Sequence, residues 1–162
     1  GDRARIAMAA QGFRLRYRQQ DERANSSDIL ALAGSAAYVL DPAARSVGLA
    51  GLYVGSDNAV AGRADGDRRM YGATAGLQHG LAARIERYAS IVVLYSRYEQ
   101  ENPDFAMRRG DRQLDLALGA SWQVAQGWFL RPQIAYTRNG SNIAVNEYRR
   151  TEAWLSLRRA WD

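Results

Sequence analysis

Residues 113–124 read Gln113-Leu114-Asp115-Leu116-Ala117-Leu118-Gly119-Ala120-Ser121-Trp122-Gln123-Val124. Every even position is apolar, and every odd position is polar or small. A period of two sustained over the whole stretch marks a β-strand with one apolar face and one polar face. The segment that follows repeats it, with Trp128, Leu130, Pro132, Ile134 and Tyr136 against Phe129, Arg131, Gln133, Ala135 and Thr137. So does the last, with Thr151, Ala153, Leu155, Leu157 and Trp161 against Arg150, Glu152, Ser156 and Arg158.

Five more segments extend the same sheet toward the N-terminus. Over 6–19, Phe13, Leu15 and Tyr17 alternate with Gly12, Arg14, Arg16 and Arg18. Over 28–40, Leu30, Leu32, Ala36, Tyr38 and Leu40 oppose Ala31, Ala33, Ser35 and Ala37. Over 46–56, Val47, Leu49, Gly51 and Tyr53 share a parity, although Leu52 and Val54 on the other blur the contrast. Around 71–81, Tyr71, Ala73, Ala75, Leu77 and Leu81 oppose Gly72, Thr74, Gly76, Gln78 and Gly80. Over 85–98 the run Ser90-Ile91-Val92-Val93-Leu94-Tyr95 leaves the two faces indistinguishable.

Eight strands result. Their connections alternate between longer loops (20–27, 57–68, 99–109, 139–146) and short turns (41–45, 82–84, 125–127). Strands of about 10–14 residues exceed the globular norm of about 5–6 and suit a tilted crossing of a bilayer. An even strand count with short turns at one end and longer loops at the other is the pattern of bacterial outer-membrane barrels. The expected fold is therefore all-β, a transmembrane antiparallel up-and-down β-barrel formed as one domain over residues 1–162. No Cys and no Lys occur among the 162 residues; all 22 basic residues are Arg, against 17 acidic ones. There is no thiol site, and no apolar run long enough for a membrane helix. Mean hydropathy is negative, as it is in a barrel that shows lipid only half of each strand.

Aromatic residues fall toward the two ends of the strands. Trp122, Trp128 and Trp161, with Tyr38 and Tyr88, lie toward the short-turn end; Tyr17, Tyr53, Tyr71, Tyr98 and Tyr136 lie toward the long-loop end. Belts of amphipathic rings at two levels fit the two interfaces of a bilayer. The expected belt comprises Tyr17, Tyr71, Trp122, Trp128, Tyr136 and Trp161. A soluble barrel holding a small apolar ligand is the competing architecture, with the apolar parity turned inward. The Gly, Ala, Ser, Arg and Gln of the polar parity would make a poor core, which favours the membrane form.

The sequence from Trp128 to Ile143, the Ser141-Asn142-Ile143 turn, the Tyr148-Arg149-Arg150 segment and the terminal Leu155-Ser156-Leu157-Arg158-Arg159 resemble a known family. They look like the closing strands of the outer-membrane barrel in surface lipoprotein assembly modifiers, which carry a tetratricopeptide domain ahead of a barrel of about fourteen strands. Related closing strands occur in exopolysaccharide exporters. The likeness covers about the last fifty residues. It implies the translocator or pore part of a secretion or export system in the bacterial outer membrane. Its implied partners are outer-membrane lipid and lipopolysaccharide, the barrel assembly machinery, and a barrel-completing chain or periplasmic tetratricopeptide domain. The present sequence lacks the tetratricopeptide part and has fewer strands. It reads either as a segment of a larger barrel or as a small eight-stranded relative.

Arg14, Arg16, Arg18, Asp115, Arg131, Arg150, Glu152 and Arg158 occupy the polar parity and are the expected lumen-lining residues, as filling ion pairs or as a cationic pore wall. Arg108, Arg109, Arg112, Arg138 and Arg149 gather toward the long-loop end, where guanidinium groups suit lipopolysaccharide phosphates. Catalysis has little support: a lipid-modifying barrel enzyme would depend on His79, the single histidine, on the apolar parity near a short turn. Asp65-Gly66-Asp67 lacks the further oxygen ligands of a calcium loop. Neither cofactor nor metal is expected. Nucleic-acid binding is disfavoured because the arginines alternate with lipid-type side chains instead of forming a surface stripe.

Overall fold

A computed structural model of the chain describes residues 3–19, 23–41, 43, 45–60, 63 and 66–161. Eight strands run antiparallel in chain order as one meander: β1 (Ala4–Leu15), β2 (Ser27–Val39), β3 (Ser46–Ala59), β4 (Arg68–Ala82), β5 (Ile85–Asn102), β6 (Met107–Ala125), β7 (Trp128–Ser141) and β8 (Tyr148–Arg159). Short helical turns at Arg23–Asn25 and Ala144–Asn146 punctuate two of the loops. The all-β antiparallel architecture agrees with the sequence. Among the described residues β1 pairs only with β2 and β8 only with β7, so the sheet is open where a closed barrel was expected.

The pairing register assigns every strand residue to a face. One face carries Ile6, Met8 and Ala10; Leu30, Leu32 and Tyr38; Leu52 and Val54; Tyr71 and Leu77; Ile91, Val93 and Tyr95. It continues through Leu114, Leu116, Leu118 and Trp122, then Leu130, Ile134 and Tyr136, to Leu155 and Leu157. Ser27, Ala31, Asp57, Met70, Ser96, Thr137 and Asn139 are buried, and all seven lie on the opposite, polar face. Among the described residues no second layer covers that face, so its burial comes from the sheet curling toward it. Two hydrogen bonds there skip a strand, Tyr88 Oη to Gln133 Oε1 at 2.7 Å and Tyr148 Oη to Gln113 Oε1 at 3.2 Å. The polar face is thus the inner, concave one.

Buried apolar residues are few among those described: Ala31, Met70 and Ile143. The outer face stays open, with Ile6 82 %, Met8 89 % and Leu155 71 % exposed. Total accessible surface is 11694 Å², where a compact soluble monomer of 18.0 kDa exposes about 8,000 Å².

Several sequence expectations need correction. β1 ends at Leu15, and its pairing with β2 puts Arg14 beside Asp28 on the outer face while Phe13 and Leu15 turn inward. The alternation in 12–18 is real, but it is out of phase with Ile6, Met8 and Ala10. In β3 the outward pair is Leu52 and Val54; Val47, Leu49 and Tyr53 point inward. Trp154 joins the inner face opposite Gln133. The loop expected over 99–109 is mostly strand. β5 and β6 continue past a bulge between Arg97 and Glu101, pair Glu101 with Arg108 and Asn102 with Met107, and turn within 103–106. Asn102 caps that turn, its carbonyl accepting from the amides of Phe105 and Ala106 and its Oδ1 from that of Asp104. A polar ribbon wet on both sides has no alternation to betray it.

Candidate functional site

The outer face has one property that a solvated sheet has no reason to show. On that face of β5 nothing charged lies between Arg87 and Arg97, and on that face of β8 nothing charged lies between Arg149 and Arg159. The intervening outer residues are Ala89, Ile91, Val93 and Tyr95, and Thr151, Ala153, Leu155 and Leu157. β4, β6 and β7 carry the same uncharged window below Arg69, Arg112 and Arg138, as do β1 and β2 below Arg14 and Asp28. Ten residues of strand span about 33 Å. At the tilt of about 40° usual in such barrels the band is about 25 Å tall.

The band also climbs across the sheet. The ladder carries Met8 through Gly34, Leu52, Ala73, Val93 and Leu114 to Arg138 and Arg149. The arginine border at β7 and β8 is therefore level with Met8, six residues below Arg14, after seven strand-to-strand steps. With strands about 4.8 Å apart and about 3.3 Å per residue, the strands lean by about 30° from the normal to the band. Strands that close into a barrel lean by a similar angle.

Aromatic residues sit just inside these borders. Tyr71 and Tyr95 stack with ring centroids 5.3 Å apart, and Arg112 covers Tyr95 at 5.4 Å. Tyr136 lies two residues inside Arg138 on the same face. At the other end Arg159 lies 3.5 Å from the Trp161 ring centroid and 5.3 Å from that of Trp128, while Trp122 pairs with Leu130. Tyr17 lies beyond β1, its amide donating to Ser26 Oγ at 3.1 Å. Tyr53, Tyr88 and Tyr98 turn inward. The first two pair with Gly72 and Gly119, and a Cβ at Gly119 would stand 2.4 Å from the Tyr88 ring. The Tyr88 ring occupies room that its glycine partner leaves, whereas the Tyr53 ring lies over Gly55, where a Cβ would stand 2.8 Å from its hydroxyl oxygen.

Of the expected lumen-lining residues, Asp115, Arg131, Arg150, Glu152 and Arg158 share the inner face. Gln113 Nε2 and Thr137 Oγ1 donate to Asp115 at 2.8 and 2.7 Å; Thr137 is the cross-strand neighbour of Arg150, whose Nε meets Glu152 at 2.8 Å. Lower on that face Arg131 and Arg158 line a hollow of about 720 Å³ with Tyr88 and Gln133. Arg14 and Arg16 stand apart on Asp28, at 3.8 and 2.7 Å, and Arg18 lies past the end of β1. The expected rim cluster also divides. Arg109 turns inward onto Asp111 and the Tyr98 ring, while Arg112, Arg138 and Arg149 remain on the outer face.

Comparison with known proteins finds no match: no family model, no curated protein and no solved structure.

One contact was not foreseen. His79 Nδ1 lies 2.8 Å from Ser46 Oγ, its cross-strand partner. A catalytic triad would need a carboxylate on the other ring nitrogen. Here the nearby acid, Asp41, has its carboxyl held below the ordinary range first by the Ser46 hydroxyl and then by the Arg45 amide. The acid faces the serine and the turn, and the three residues fasten the β2–β3 turn to β4. No group of acidic residues and histidine that could hold a metal occurs among the described residues, and none of their helices is long and apolar enough to cross a membrane.

Proposed function

We propose that the chain is a transmembrane β-barrel, or a segment of one, in the bacterial outer membrane, forming the pore or translocator part of an export system. The observation that carries this reading is the uncharged outer band, bordered by arginine and aromatic side chains and inclined as barrel strands are. Hydrocarbon is the environment that fits it, since none of the described residues forms a layer over it and water would solvate it poorly. A soluble ligand-binding barrel needs its apolar parity inside, whereas here the buried strand residues belong to the polar parity. Open edges in hydrocarbon would leave backbone groups unsatisfied at several kcal/mol each. β1 and β8 therefore meet each other or further strands, from this protein or a barrel-completing partner. The inner arginines and carboxylates give the lumen its polar wall.

Assignment to export rests on the likeness of the closing strands to surface lipoprotein assembly modifiers. The same likeness brings in a periplasmic tetratricopeptide domain, the barrel assembly machinery and lipopolysaccharide as partners. Exopolysaccharide export and porin-like conduction are variants of the same architecture. Extracted in detergent, the protein should run faster on an SDS gel before boiling than after. Full solubility without detergent and a single unshifted band would contradict the barrel. Loss of the gene should trap surface lipoproteins beneath the outer membrane; unchanged display would remove the export assignment and leave the barrel standing.

A lipid-modifying enzyme is the second reading, favoured by the Ser46–His79 contact. It requires ester hydrolysis in mixed micelles that is lost in His79→Ala. Equal rates in variant and wild type remove it.

A further inference from the structure

We propose that a groove on the outer face across β5, β6 and β7 binds the phosphomonoester headgroup of a membrane lipid. The inference rests on the membrane reading above. Arg97 pairs across the ladder with Gly110, and Arg112 pairs with Gly140. Each guanidinium therefore stands beside a residue with no side chain. A Cβ at Gly110 would meet nothing within 4 Å, and one at Gly140 only the Arg112 carbonyl at 3.9 Å. With Arg138 at the next position these residues border a groove of about 930 Å³. The sequence alone did not single out Arg97, because the faces of its strand could not be told apart there.

The charge in the groove is unbalanced. Asp111 at its edge is engaged by Arg109 at 2.7 Å, leaving Glu147 as the remaining carboxylate along the lining. None of Arg97, Arg112 and Arg138 has a carboxylate partner among the described residues; Arg112 is held by its contact with Tyr95 instead. Three guanidinium groups against one carboxylate match a dianionic phosphomonoester, which accepts paired N–H bonds, better than a zwitterionic headgroup whose cation they would repel. A lipid suits the groove better than a free anion because Tyr71, Val93 and Leu114 form its lower side. Val93 and Leu114 continue directly into the uncharged band, so acyl chains leaving the phosphate would run along Ile91 and Leu116.

The test embeds the chain in phosphatidylcholine bilayers doped with phosphatidate or with doubly phosphorylated lipid A, and reads the lipid retained on extraction by native mass spectrometry. Wild type should retain both phosphomonoesters over phosphatidylcholine. The triple variant Arg97→Gln, Arg112→Gln, Arg138→Gln should lose that preference, by about tenfold for each arginine removed. A control with Arg131→Gln, Arg150→Gln and Arg158→Gln removes the same charge from the inner face and should keep it. Equal retention by wild type and the outer-face variant would overturn the site, and binding of inorganic phosphate with no phosphomonoester lipid retained would overturn the lipid assignment. A wild type with no heat-shifted form would instead overturn the membrane reading itself.

Discussion

Side by side on β6, Leu116 and Ala117 separate the two environments, and substitution at each has a different expected outcome. Leu116 lies in the uncharged band opposite Ile91 and Tyr136, whereas Ala117 lies on the inner face between Ser90 and Ala135. Arg at position 116 should cost about 2–4 kcal/mol of folding into a bilayer, read by urea titration of the heat-shifted form. Arg at position 117 should leave that form largely intact; equal damage at both positions would mean the faces are misassigned. Gly119→Ala tests the inner packing. The added Cβ would strike the Tyr88 ring and displace its hydroxyl from Gln133, costing about 1–3 kcal/mol. Unchanged stability in that variant would show that the Tyr88–Gln133 bridge contributes little.

Turns hold the elements at the short-turn end. Gly127 adopts φ +70, and a Cβ there would lie 2.7 Å from the Ala160 carbonyl. The Ala160 amide in turn donates to the Gly127 carbonyl at 2.7 Å, tying the end of β8 to the β6–β7 turn. Gly127→Ala should destabilise the fold by about 1–2 kcal/mol and speed amide exchange at Ala160; exchange unchanged from wild type would count against that tie. In the β2–β3 turn the Asp41 carboxyl is held below the ordinary carboxylate range, chiefly by the Ser46 hydroxyl. A depressed acid contributes stability above its unfolded pKa and loses it as pH falls through the lower folded value. Wild type and Asp41→Asn should therefore differ near neutral pH and converge below about pH 3.8; a gap that persists in acid would assign the effect to shape. Where strands alternate cleanly, as in β2, β4, β6 and most of β7 and β8, their facing was legible in the sequence. It failed where apolar residues occupy both parities. In β1 the chain changes phase between Met8 and Phe13. In β3 Leu49 and Tyr53 fill glycine-vacated space inside, and in β5 Val92 and Leu94 lie inward over Thr74 and Gly72. Only pairing with a neighbour resolves such strands, because a face belongs to the sheet and not to one strand.

For the molecule as a whole, the eight-stranded meander was readable from period and turn spacing. The site was readable only in part: inner Asp115, Arg131, Arg150, Glu152 and Arg158 fell on one face, whereas Arg97 and the Ser46–His79 contact depend on register across strands. At this scale everything turns on what the outer band faces. The chain has no cysteine, so a single cysteine can be placed in turn at each position from 114 to 122 on β6 and spin-labelled in a reconstituted bilayer. Accessibility to oxygen, which concentrates in hydrocarbon, should exceed accessibility to a water-soluble nickel complex at 114, 116, 118, 120 and 122. The reverse should hold at 115, 117, 119 and 121. Preferential access of the nickel complex at both parities would contradict a lipid-facing outer surface.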